Sequence, residues 1–132
     1  SVKFGVQTRE LTSQETTMAS LEFLRREPDI RAFRQGETIF SAGDPGDCMY
    51  AVVDGTVDIQ LHGQTVETIA AGGVFGEMGL IDGQPRSGTA LAASDCSVAV
   101  IGEKRFLRLV EMAPQFALQM MRVVTERLRR RG

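Results

Sequence analysis

Tryptophan is missing from this chain, and tyrosine and histidine occur once each, as Tyr50 and His62. A single histidine cannot build a His-rich metal centre, nor a Ser-His-Asp or Cys-His site with any redundancy. Without Trp and with one Tyr, stacking platforms for single-stranded nucleic acid are poorly supplied. Cysteine is scarce too. Cys48 and Cys96 are too few for a disulfide framework, show no metal spacing and read as small buried apolar residues. No apolar run approaches the roughly 18 residues needed to span a bilayer, and no signal-peptide pattern opens the chain. A reduced, cytoplasmic setting is the expectation. Basic charge in excess is also lacking: the formal net charge is -2, so no global field attracts nucleic acid.

What remains is ordinary soluble-domain chemistry, with 42% hydrophobic and 24% charged residues. A chain of 132 residues fits one domain. It opens on Ser rather than Met, and Ser1–Thr17 is polar with little periodicity. Residues 1–17 are therefore expected to be a polar N-terminal extension, vector-derived or processed, ahead of a single domain at 18–132. Leu21, Phe23 and Leu24 suggest a short helix that Pro28 would stop.

From Ile30 to Ile101 short β-like runs alternate with turn pairs. Ile30–Phe33, Thr38–Phe40, Cys48–Val53, Thr56–Leu61, Gln64–Ile69, Thr89–Ala93 and Cys96–Ile101 read as strands. Asp54-Gly55 and His62-Gly63 read as tight hairpin turns. Val57, Ile59 and Leu61 fall on one strand face. The last thirty residues change period. Glu103–Met112 is helical with Phe106, Leu107 and Val110 on a common side. Pro114 starts a second helix, Gln115–Arg131, with Leu118, Met121, Val123, Val124 and Leu128 as its apolar residues. Its basic end, Arg127–Arg131, suits the helix dipole better than a nucleic-acid contact.

Between the strands and the helices lies Phe75–Thr89, holding one glutamate, one arginine and four of the 14 glycines. Its glycines punctuate a turn, a short helix and a loop, and remove Cβ bulk where a ligand could approach. Glu77 is an acceptor for hydroxyl donors, and Arg86 is a planar fork suited to phosphate.

The order FGEMGL at 75–80 and PRSGTA at 85–90 resembles the phosphate-binding cassette of the cyclic-nucleotide-binding domain family. That family includes catabolite activator proteins, protein kinase regulatory subunits and cyclic-nucleotide-gated channels. A second landmark, Gly43–Tyr50 followed by Asp54–Val57, is similar to the family's Gly-Asp turn, aromatic strand and glycine hairpin. The resemblance implies an α+β, mainly β fold: an antiparallel, jelly-roll-like β-roll with an inserted cassette helix and flanking helices, the longest at the C-terminus.

It also implies a cyclic purine nucleotide as ligand, with cAMP favoured over cGMP, and no further cofactor. Arg86 would face the phosphate and Glu77 the ribose 2′-hydroxyl. Backbone N–H groups near Gly76, Met78, Gly79 and Ser87 would point at sugar and phosphate. Val66 and Ile59 would pack on the base, with Arg127 or Leu128 as a lid. Gly88 stands where the family more often has Ala, which suggests a looser cassette.

The implied role is a regulatory sensor, not an enzyme, whose cassette tightens and whose C-terminal helices shift on binding. It would stand alone, or form the sensor half of a transcription regulator, or be excised from a channel. The stripe Leu118, Met121, Val124 and Leu128 could pair two copies. A cupin-type metal enzyme on a similar roll would need a His and carboxylate cluster that His62 alone does not supply.

Overall fold

The computed structural model describes residues 24–131. The polar extension, Met18 and the first residues of the Leu21–Leu24 segment lie outside them. Eight strands and three helices follow: β1 (Ile30–Phe33), β2 (Thr38–Phe40), β3 (Cys48–Asp54), β4 (Val57–Leu61), β5 (Gln64–Ile69), β6 (Val74–Phe75), α1 (Glu77–Asp82), β7 (Thr89–Ala92), β8 (Cys96–Gly102), α2 (Glu103–Met112) and α3 (Gln115–Arg131). They form two four-stranded sheets in the orders β1-β8-β3-β6 and β2-β7-β4-β5, every pair antiparallel. The fold is α+β and mainly β, with its longest helix at the C-terminus.

β3 explains the layering. Its run CMYAVVD is apolar on both faces because both are covered. Met49, Ala51 and Val53 pack with Leu24, Leu109, Phe116, Met120 and Val123 beneath the helices. Tyr50 and Val52 pack with Val57, Ile69, Phe75, Ala90 and Val98 between the sheets. Helices, first sheet and second sheet are thus three layers around two apolar clusters. Glu27 reinforces the helical side by accepting two 2.8 Å hydrogen bonds from Arg105 of α2.

His62-Gly63 is a two-residue hairpin turn joining paired Leu61 and Gln64, and its φ values of 53° and 78° are those of type I′. Asp54-Gly55 is not a hairpin. β3 and β4 lie in different sheets, so this turn carries the chain across the sandwich, as Ser94-Asp95 does between β7 and β8. The two crossings bind each other, Thr56 N donating to Ser94 Oγ at 3.0 Å. β6 is too short to read from sequence, and it pairs with β3 through Tyr50 and Ala51.

The helical faces also differ from expectation. On α2, Leu109 is fully buried while Leu107 is exposed. On α3, Phe116, Met120, Val123 and Arg127 face inward, at i, i+4, i+7 and i+11, and Leu118, Met121 and Leu128 face out. Apolar residues occupy both sides of α3, so periodicity alone could not pick the inner one. Among the described residues no helix is long and apolar enough to cross a membrane, and no group of three or more His, Cys, Asp or Glu could hold a metal ion.

Candidate functional site

A cavity of about 200 Å³ opens between the second sheet, α1 with its following loop, and α3. Gly76, Glu77, Met78, Gly79, Arg86 and Ser87 all line it, as do Ile59 and Arg127. Sequence reading placed these residues together, and the fold brings them together.

Arg86 is buried beneath the cassette at 7% exposure. Its Nη1 donates to Gly76 O at 2.8 Å and its Nη2 to Cys48 O at 2.6 Å. The guanidinium lies over the Phe40 ring, 4.3 Å from the centroid. Nε is buried with no hydrogen-bond partner. Among the described residues no carboxylate pairs with Arg86. Its backbone is fixed by the Gly43–Asp47 turn, with Gly43 N donating to Arg86 O and Arg86 N to Asp44 O, both at 2.8 Å. The two landmarks of the sequence are therefore one hydrogen-bonded unit.

The cassette glycines are required by packing. Gly76 has φ 77°, and a Cβ there would stand 2.9 Å from Arg86 Nη1. A Cβ on Gly79 would press into the carbonyl of Gly46. They make room for Arg86 and the Gly46 backbone, where sequence reading had reserved the space for a ligand. Gly88 leaves no gap either, because a methyl there would lie 2.6 Å from Gln60 O. β4 approaches closely enough to use the space that the expected alanine would fill.

Glu77 begins α1 and is buried. Its Oε1 accepts from Arg127 Nη1 at 2.7 Å. Arg127 reaches back from α3 and also donates from Nε and Nη2 to the two oxygens of Glu67, at 3.2 and 3.1 Å, and from Nη2 to Val74 O at 2.6 Å. Arg130 adds a 3.4 Å pair to Glu67. Burial alone would lower the Arg127 guanidinium. The charges of Glu77 and Glu67 outweigh it and hold the group above its ordinary value. The site thus contains one buried cation matched by carboxylates, Arg127, and one matched by none, Arg86.

Two expectations change. Val66 is half exposed and does not line the cavity. Ile59 pairs with Glu67 and Gln60 with Thr65, which leaves Val66 as the extra residue of a β-bulge. Leu128 is also exposed, and Arg127 is the α3 residue at the cavity. Glu67, Phe40 and Leu61 were missed as lining residues. Counting back in twos from buried Ile69 would have found Glu67 on the inner face.

Tyr50 lies below Arg86, stacked on Phe75 with ring centroids 5.0 Å apart. Burial first, then neighbouring Cys48, push its phenol up to about 12 against the opposing pull of Arg86. The neutral phenol is the form favoured by folding, so its stabilisation is intact below pH about 10 and lost as pH rises toward about 12. With one Tyr and no Trp, phenolate absorbance reports this residue alone. Its midpoint is expected near 12 in the folded protein and near the model-peptide value of about 10 in urea. A folded-state midpoint equal to that in urea would show the ring to be open to water.

Comparison with known proteins agrees with this geometry. The family model for the cyclic nucleotide-binding domain matches residues 30–112. The chain is 41% identical over 68 residues to a cAMP-dependent protein kinase regulatory subunit of Debaryomyces hansenii, covering 52% of this chain and 15% of that protein. It is 32% identical over 124 residues to the cyclic AMP receptor protein of Thermus thermophilus, covering 90% of this chain and 55% of that one. Among solved structures, the EAL enzyme Bd1971 in its cAMP-bound form superposes with a TM-score of 0.58 at 34% identity, covering 76% of this chain and 28% of the enzyme. Its cGMP-bound form gives 0.60 at 35%, covering 77% and 28%. The chain spans roughly half or less of the length of these proteins. With the cassette, its glycine contacts and the two-sheet fold in place, the match is one of architecture as well as of motif, and the chain belongs to the cyclic nucleotide-binding domain family.

Proposed function

We propose that this domain is a regulatory sensor that binds a cyclic purine ribonucleotide, cAMP before cGMP, and passes the event to α3. One observation carries the ligand class. Arg86 is a buried guanidinium with an unpartnered Nε and no neutralising carboxylate, while Arg127 nearby has two. A cyclic phosphate supplies the single negative charge that Arg86 lacks. Glu77 takes the ribose 2′-hydroxyl, and backbone N–H groups at Gly76, Met78, Gly79 and Ser87 face sugar and phosphate. The base lies toward Ile59 and Leu61. Two relatives named for cAMP favour that nucleotide, although Bd1971 is known with either.

Glu77 is both the acceptor for the sugar and a partner of Arg127. Ligand bound to Glu77 is therefore felt by Arg127 on α3, and a conformational equilibrium shifts to the arrangement that binds the ligand better. The coverage of 90% of this chain against 55% of the Thermus thermophilus receptor favours the sensor half of a longer regulator. The formal net charge of -2 gives this domain no overall field to draw nucleic acid. The exposed face of α3, Leu118, Met121 and Leu128, is the surface on which a second copy would pair.

Calorimetric and thermal-shift titrations with cAMP and cGMP test the reading. At a hundredfold excess over Kd the folded state gains about 2.7 kcal/mol, a rise of several degrees in melting temperature. Absence of any shift at millimolar nucleotide would remove the proposal.

A further inference from the structure

Glu67 lies outside the cassette, yet it holds the larger share of Arg127. A carboxylate on the inner face of a β-hairpin is costly, and a buried pair of this kind is often no more stable than apolar residues of the same size. Stability alone does not account for it. Its geometry does suggest a task. Arg127 turns the Nε and Nη2 edge of its fork to both oxygens of Glu67 and presents only Nη1 to Glu77. Glu77 therefore receives one hydrogen bond, on Oε1, and among the described residues no donor reaches its Oε2.

We propose that Glu67 is a positioning residue for ribose recognition: by drawing the Arg127 fork to the far side, it keeps Oε2 of Glu77 free to accept the sugar hydroxyl. This rests on the reading above that Glu77 takes the 2′-hydroxyl. Without Glu67, the nearest carboxylate for the fork is Glu77, and a bidentate pair there occupies both oxygens. The site then loses its means of telling a ribonucleotide from a 2′-deoxyribonucleotide. Phosphate binding at Arg86 remains.

The readout is the ratio of affinities for cAMP and 2′-deoxy-cAMP, measured by calorimetry. One hydrogen bond to a charged acceptor gives the wild type a preference of about tenfold or more. Glu67→Gln places an amide against the Arg127 fork in nearly the same volume, and the preference is expected to fall to about threefold or less. Adding Arg127→Met to Glu67→Gln removes the competing fork and restores the preference. A residue that only braces the hairpin would move both affinities together and leave the ratio alone. Should Glu67→Gln fail to fold, Glu67→Asp, which keeps the charge but shortens the reach, is expected to lower the ratio by a smaller step. A variant that binds cAMP with an unchanged ratio overturns the role of Glu67 and leaves the sensor reading standing. A wild type that binds neither nucleotide overturns both.

Discussion

Replacing Arg86 with alanine is expected to abolish cyclic-nucleotide binding, a loss of at least about 3 kcal/mol or more than a hundredfold in affinity. A charge-assisted hydrogen bond contributes roughly 1.5–3 kcal/mol, and a desolvated phosphate left without its partner loses more than that. No other described cation in the cavity can take over, because Arg127 is already matched by Glu67 and Glu77. The same substitution also has a structural cost. Arg86 links Gly76 O to Cys48 O and covers the Phe40 ring, so alanine leaves a hole under the cassette and two carbonyls without donors. Binding and folding are separated by Arg86→Lys, which keeps the charge and the aliphatic stem but cannot span both carbonyls as a fork does. Lysine is expected to melt closer to wild type than alanine does while still binding cAMP at least about tenfold more weakly than wild type. A folded Arg86→Ala protein that binds cAMP within about threefold of wild type would sink the assignment of the phosphate site.

The strands and the cassette were legible because their signals are local. His62-Gly63 announced a hairpin turn, and Cys48–Val53 a compact apolar strand. FGEMGL and PRSGTA together placed Glu77 and Arg86 on the same cavity. What sequence could not carry was the partner of each group. Asp54-Gly55 looks like a hairpin in any short window, and only sheet assignment shows that it crosses between layers. Val66 is apolar, but alternation from buried Ile69 puts it on the outer face and Glu67 on the inner one. Gly79 looks like space for a ligand until Gly46, far back in the chain, is seen to fill it. The inner face of α3 was hidden for a similar reason. Its charged member is Arg127, lying among Met120, Val123 and Phe116, and its carboxylate partners lie in β5 and α1. Local periodicity reports which residues avoid water, and long-range pairing of charges leaves no mark on it.

Arg127→Met is the substitution expected to cost most in stability. The methionine keeps the aliphatic stem against the core but leaves buried Glu77 and partly buried Glu67 facing a cavity with no counter-charge beyond half-exposed Arg130. Removing one partner of a buried ion pair typically costs about 3–5 kcal/mol, against a total stability of about 5–15 kcal/mol. For a domain of this length that is a fall in melting temperature of roughly 10–20 °C. The origin of the loss is checked by removing the orphaned charges. The triple variant Glu67→Gln, Glu77→Gln, Arg127→Met is expected to recover most of the lost stability, since a neutral cluster of equal volume carries no uncompensated desolvation cost. Ribose selectivity does not return with it, because the triple variant lacks the Glu77 carboxylate. If Arg127→Met melts within about two degrees of wild type, the ion cluster does not hold α3 to the β-roll. The link from Glu77 to the C-terminal helix would then have to run through the apolar contacts of Phe116, Met120 and Val123 instead.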